Sequence, residues 1–181
     1  MKKINIGSKI KRKVFELGAT ESPLCKELKA QLAALQNTKD KLLNEERNYL
    51  KSKQEALATK KTLENDIKTT TTKKKEIEDR IAGFQSTINK NNTWLKNHPK
   101  ATPATKQKLK NENASLKTKI ENNQANIPKL QKTIDAKNKN LKNVVDQIET
   151  LTNALSEVNK EISDTNSAIS DKKTQIANAG C

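Results

Sequence analysis

The sequence predicts an all-α protein: a long antiparallel coiled-coil helical hairpin of two helices of about 75 residues each, able to associate into a larger helical bundle. Apolar residues recur at alternating steps of four and three along two long stretches. Four Gly and four Pro among 181 residues leave too few turn formers for a many-stranded sheet. The low hydrophobicity and high charge approach those of disordered chains. A disordered chain, however, is not expected to maintain a regular spacing of apolar residues over such a length.

Residues 1–21 fall outside the repeat and are predicted to form a basic N-terminal arm. Its charge is centred on Lys9, Lys11, Arg12 and Lys13. These side chains interrupt every apolar stretch of the arm, so no signal peptide is predicted. The whole chain lacks a run of about 18 apolar residues, so no transmembrane segment is predicted either. We therefore expect a location in the cytoplasm or within a virion or other large assembly.

The arm also carries a series of apolar residues at helical spacing, namely Ile6, Ile10, Val14 and Leu17. With the surrounding basic residues, this series suits a short amphipathic anchor on an acidic membrane, a nucleic acid or a protein groove. A disordered basic tail is an equally open interpretation.

The first coiled-coil helix is predicted over residues 22–98. Ser22 supplies an N-cap and Pro23 a residue suited to the first turn. Thirteen of its 20 repeating positions are apolar, counting Tyr49 and Ala56. The 20 positions are Leu28, Leu32, Leu35, Lys39, Leu42, Glu46, Tyr49, Lys53, Ala56, Lys60, Leu63, Ile67, Thr70, Lys74, Ile77, Ile81, Phe84, Ile88, Asn91 and Leu95.

Leu43, Leu50 and Leu57 form a second apolar stripe beside that series. A two-helix hairpin buries one stripe from each helix, so we expect this extra stripe to contact another protein chain. The alternative is a weakly packed stretch of coil in which lysine stems cover the apolar surface.

A tip turn over residues 99–102 is predicted to reverse the chain. Pro99 and Pro103 stop any continuous helix, because each lacks an amide donor and clashes with the preceding turn. Trp94, the only tryptophan, lies just before this turn. It is either an anchor for a partner or a cover for the end of the coil.

The second coiled-coil helix is predicted over residues 103–179, followed by a C-terminal tail of residues 180–181. Pro128 predicts a bend in this helix, at the level of the Thr69–Thr72 run in the first one. Fifteen of the 20 repeating positions are apolar. They are Leu109, Asn113, Leu116, Ile120, Asn123, Ile127, Leu130, Ile134, Lys137, Leu141, Val144, Ile148, Leu151, Leu155, Val158, Ile162, Thr165, Ile169, Lys172 and Ile176.

An antiparallel register in which residue i faces residue 204 − i matches every a position of one helix with a d position of the other. It brings Asn91 opposite Asn113, a polar layer that can fix the register at some cost in stability. The alternative is a parallel oligomer, favoured by Ile at a and by Leu or Val at d along the second helix.

Cys25 and Cys181 are the only cysteines. The register places them at the same end of the hairpin, where a disulfide would link the two helices. Two free thiols, as expected in a reducing cytosol, and an attachment role for Cys181 are the alternatives.

Charge is distributed unevenly along the second helix. Residues 100–142 hold eleven Lys and three acidic residues, whereas residues 143–171 hold one Lys and six acidic residues. The basic part suits an anionic partner such as nucleic acid or an acidic surface. A solvated lysine-rich face is the alternative.

Nothing in the sequence points to catalysis. The single histidine, His98, and Cys25 lie at opposite ends of the predicted hairpin, so a Cys–His nucleophile pair is not expected. No metal-ligand cluster and no glycine-rich phosphate loop is present in the sequence. We therefore expect no enzyme activity, no cofactor, no metal and no small-molecule substrate.

The sequence thus favours a non-enzymatic structural or assembly protein, a coiled-coil rod acting as spacer, strut or clamp in a larger complex such as a virion or a bacterial surface machine. Its expected partners are other protein chains, in a homo- or hetero-oligomer. A basic coiled-coil protein that binds or compacts nucleic acid is the alternative, because the net charge is +15. A membrane-surface scaffold held by the arm is a second alternative.

Overall fold

The computed structural model describes residues 21–181, and helices make up 93% of them, with no strand. Three helices follow one another along the chain: α1 over Pro23–Asn97, α2 over Pro103–Gln124 and α3 over Ile127–Asn178. The prediction of an all-helical protein with two long helices is confirmed. Lys9, Lys11, Arg12 and Lys13 of the predicted basic arm lie outside the described residues.

Two side-chain caps begin α1 and α2 where the sequence predicts them. The Ser22 hydroxyl accepts a hydrogen bond of 3.1 Å from the Cys25 amide. The Thr102 hydroxyl accepts one of 3.3 Å from the Thr105 amide. In each case a proline takes the first helical position, where its missing amide has no helical carbonyl to bond.

The second predicted helix is divided in the structure. Residues 125–126 form a turn between α2 and α3, so residues 103–179 are not one continuous helix. Pro128 accounts for the division, because it has no amide to donate to the carbonyl of Gln124 and its ring crowds that carbonyl. The Ala125 amide still bonds to the Glu121 carbonyl at 3.0 Å.

The threonine run in α1 does not interrupt that helix. Thr69, Thr70 and Thr72 each donate a side-chain hydrogen bond to the carbonyl four residues earlier, at 2.9, 2.7 and 3.0 Å. Their hydroxyls are therefore satisfied within the helix, which stays continuous from Pro23 to Asn97. The threonine run therefore does not weaken α1 enough to break it, and the break lies between α2 and α3.

The buried residues follow the repeating positions. All 20 positions of each series are buried or half-buried, including the lysines among them. Ile88, Leu116 and Ile120 form a compact cluster against which Ile81 and Phe84 pack, and Ile88 is only 3% exposed. The free energy gained by removing these apolar side chains from water is the main reason for helices to pair here.

The described chain divides into two compact units. The terminal unit comprises residues 21–44 and 159–181, and the central unit comprises residues 45–158. In the terminal unit the Lys172 ammonium donates to the side-chain carbonyl of Gln31 at 2.7 Å. In the central unit the Lys137 ammonium pairs with Asp66 at 2.7 Å. Each unit therefore holds α1 against α3 by polar contacts as well as by apolar burial.

Candidate functional site

An aromatic pair lies at the end of α1 in the central unit. The rings of Trp94 and His98 stack with centroids 4.4 Å apart and planes 15° from parallel. His98 Nδ1 lies 2.9 Å from the Trp94 carbonyl oxygen, which can only accept, so Nδ1 carries the proton of this hydrogen bond. The spacing of four residues places both rings on one side of the helix end.

A shallow groove of about 770 Å³ runs beside the aromatic pair along α1. Apart from the two rings, small and polar side chains line it, among them Ala82, Ser86 and Thr93. Its one charged lining residue is Lys90. Trp94 also borders a second groove, shared with Lys108 and Leu109 of α2.

Three asparagines near this end join α1 to α2. The Asn91 amide donates to Asn113 Oδ1 at 2.9 Å, and the Asn113 amide donates to Asn92 Oδ1 at 2.8 Å. The facing of Asn91 and Asn113 is therefore confirmed, whereas the part of Asn92, which lies outside the repeating positions, was not predicted. Asn113 is 8% exposed, so its polar atoms depend on these partners.

Replacing Asn113 with alanine is expected to lower the free energy of unfolding by about 1–3 kcal/mol, because it leaves the half-buried Asn91 amide without its acceptor. Urea unfolding followed by circular dichroism measures this change. Exposed Asn111 gives the matched Asn→Ala control, with an expected change within about 0.5 kcal/mol. Equal effects of the two replacements would contradict the importance of the asparagine contacts.

Basic side chains are concentrated around the aromatic pair. Residues 80–120 carry nine Lys or Arg and a single acidic residue, Glu112. Lys119 lies over the Phe84 ring, with its ammonium 6.0 Å from the centroid, and Lys106 donates to the Pro99 carbonyl. Within residues 21–181 the lysines between 90 and 119 form no ion pair with a carboxylate. Positive charge is therefore in large excess in this part of the chain.

The predicted leucine stripe is partly exposed. In the central unit Leu50 is 44% and Leu57 is 45% exposed. In the terminal unit Leu43 is half-buried and lines a depression with Ile169 and Lys173. Val145, 41% exposed, is a further apolar surface residue that the sequence analysis missed. The sequence feature that could have revealed Val145 is the adjacent pair Val144–Val145, in which only Val144 belongs to the repeating positions.

Tyr49 lies between Leu43 and Leu50 in sequence but has a polar role. Its hydroxyl donates to Glu45 at 3.0 Å. This hydrogen bond raises the pKa of Tyr49, and the Glu45 charge, desolvation and the Glu157 charge on α3 raise it further. The phenol therefore stays neutral throughout the physiological pH range.

A disulfide joins Cys25 to Cys181 in the terminal unit, with their Cα atoms 5.6 Å apart. Cys25 is 7% exposed, whereas Cys181 is exposed. Gly180 has a φ of +70°, a conformation that suits glycine and lets the chain leave α3 toward Cys25. Such a bond persists in oxidising compartments.

Residues 21–181 contain neither a metal-ligand cluster nor a membrane-spanning helix. No group of three or more His, Cys, Asp or Glu side chains is placed to hold a metal ion there. None of the three helices is long and apolar enough to cross a membrane.

In comparisons with known proteins, no family, no curated protein and no solved structure matches the chain.

Proposed function

We propose that α1 pairs with α2 and α3 as an antiparallel coiled-coil hairpin and that the chain acts as a non-enzymatic spacer, strut or clamp in a larger assembly. The observation that carries the proposal is the agreement of the contacts with one register. In the central unit Asn91–Asn113, Lys74–Gln131 and Asp66–Lys137 each fall within one residue of the relation i to 204 − i. In the terminal unit Gln31–Lys172 does the same.

The distribution of residue types supports a structural role. The positions between the repeats are overwhelmingly Lys, Asn, Thr, Asp, Glu and Ala, which suit a solvated helical surface. The features left over for partners are the aromatic pair, the exposed leucines and the disulfide. A chain of this kind holds its partners at a set separation, because paired helices are much stiffer than a linker.

Spin labels test the hairpin. We choose Gln54 and Thr150, both exposed and both in the central unit, with labels on unnatural side chains that leave the cysteines untouched. Since paired helices lie about 8–10 Å apart, label distances below about 30 Å are expected. Dilution with unlabelled chain must leave them unchanged. Loss of the short distance on dilution would instead indicate pairing between chains and would contradict the hairpin.

The proposed contact surface comprises Leu50, Leu57 and Val145, with a second copy of the chain as its partner. In the proposed register Leu57 and Val145 lie on the same side of the coil. Each directly follows a d position, Ala56 in α1 and Val144 in α3, and residues after d positions flank the same edge of an antiparallel pair. Residues 45–61 and 143–158 together carry a net charge of −1, so two copies meeting here do not repel each other. The strongly basic residues 80–120 would repel a copy of themselves.

Replacing Leu50 and Leu57 together with glutamine is expected to shift sedimentation equilibrium from a dimer toward the monomer mass, with at least about a tenfold rise in the dissociation constant from lost apolar burial. Helix content by circular dichroism should be unchanged. The matched control replaces exposed Ala58 and Thr62 with glutamine. A wild-type chain that is monomeric at every concentration would refute the self-contact.

Nucleic-acid binding is the second candidate function, and the excess of lysines near the stacked Trp94–His98 pair favours it. A basic surface with an aromatic ring is the combination on which bases stack and phosphates bind. The test titrates the chain with single-stranded random-sequence DNA, whose bases are free to stack, at 50 and 200 mM salt and follows the fluorescence of Trp94, the only tryptophan.

Contacts to about five phosphates of single-stranded DNA predict a loss of affinity of roughly 130-fold between the two salt concentrations. Replacing Lys100, Lys108 and Lys110 with glutamine should abolish most of the binding. Replacing Lys51, Lys61 and Lys68 with glutamine removes the same charge elsewhere and should have little effect. Equal losses from both triple replacements would refute a localised binding site. No binding at 50 mM salt would remove this function altogether.

A further inference from the structure

The two sulfur atoms of the Cys25–Cys181 disulfide have different surroundings. Cys25 is the third residue of α1 and is 7% exposed. Cys181 lies beyond the end of α3, after Gly180, and is exposed to solvent. One side of the bond therefore faces the packed helix end and the other faces water.

This asymmetry determines which sulfur a thiol can reach. In thiol–disulfide exchange the attacking thiolate, the attacked sulfur and the leaving sulfur lie nearly on one line. An attack on Cys181 Sγ approaches from the exposed side of the bond. An attack on Cys25 Sγ must approach through the surroundings of a buried residue. Access therefore favours Cys181 as the attacked atom.

Burial disfavours a thiolate at Cys25, whereas the helix dipole at the first turn of α1 favours one. These two effects on the leaving group oppose each other. The preference for Cys181 therefore rests on access to the attacked sulfur.

We propose that Cys181 is a covalent attachment site for thiols and that Cys25 is its built-in leaving group. A thiolate of the partner attacks Cys181 Sγ, the Cys25–Cys181 bond breaks, and Cys25 departs with the electron pair as a thiolate. The product is a mixed disulfide between Cys181 and the partner. One thiolate is consumed and one is released, so no further oxidant or reductant is needed. The partner class is a small molecule or protein with an accessible thiol.

The test exposes the full oxidised chain to 2-mercaptoethanol, which carries no charged group besides its attacking thiolate. The reaction is stopped with acid at early times, free thiols are trapped with N-ethylmaleimide, and tryptic peptides are weighed. Cleavage after lysine places Cys25 in peptide 14–26 and Cys181 in peptide 174–181. We expect the mercaptoethanol adduct on peptide 174–181 and maleimide on peptide 14–26, with a preference of at least about tenfold.

The same reaction in concentrated urea is the control, because unfolding removes both the burial of Cys25 and the helix end. There the preference should fall toward equal labelling of the two peptides. Equal or reversed labelling of the folded chain would overturn the proposal. So would a preference that persists in urea, or the absence of any adduct while the chain is folded.

Discussion

Replacement of Cys181 with serine is expected to lower the free energy of unfolding by about 5 kcal/mol, because the disulfide closes a loop between residues 156 positions apart. Without the bond the unfolded chain regains the conformational freedom that the closed loop denies it. Cys181 is the better residue to replace, since Cys25 is buried and its loss would also disturb packing. Urea unfolding followed by circular dichroism measures the change.

Dithiothreitol provides the control for that replacement. It should destabilise the wild-type chain by the same amount and leave the Cys181→Ser variant unaffected. Both comparisons are made at one chain concentration, so that association does not alter the midpoints. An unchanged midpoint in both cases would show that the disulfide contributes nothing to stability.

Replacement of Ile88 with alanine is expected to cost about 3 kcal/mol, within the range for buried large-to-small changes. Ile88 is 3% exposed and packs with Leu116 and Ile120, so its shortening leaves a cavity as well as losing apolar burial. The narrow core of paired helices holds few other side chains that could fill the space. The same urea unfolding measures the loss.

Two other variants calibrate the Ile88 result. Ile88→Val removes one methylene and should cost about 1 kcal/mol. Leu24→Ala removes as many carbon atoms as Ile88→Ala, but from a side chain that is 56% exposed and outside the proposed contact surface, and should cost clearly less. If Leu24→Ala were as costly as Ile88→Ala, the core around Ile88 would not be the stabilising cluster described above.

The helical class and the residues of low exposure follow from the sequence because both depend on local spacing. Apolar side chains three and four positions apart share one helix face wherever the helix is placed. Even Lys39 and Lys60, at repeating positions, are half-buried, because their stems lie along the face while their charges reach water.

Details that depend on particular neighbours were harder to predict. Pro128 indicated a disturbance, but the turn lies two to three residues earlier, since proline acts on the turn that precedes it. Asn92 was missed because it lies outside the repeat, although it bonds to Asn113. The disulfide remained one of several alternatives, because sequence spacing alone cannot say whether two cysteines meet.

The disulfide also turns most of the polypeptide into a covalent ring. A protease that cuts once in the turn at residues 125–126 would open this ring without separating its pieces, because α3 stays bonded to α1 through Cys181 and Cys25. The nicked chain would gain only the mass of one water and stay in one piece until a reductant divided it. Damage to the peptide backbone anywhere between the two cysteines is thereby tolerated once, provided that the surroundings remain oxidising.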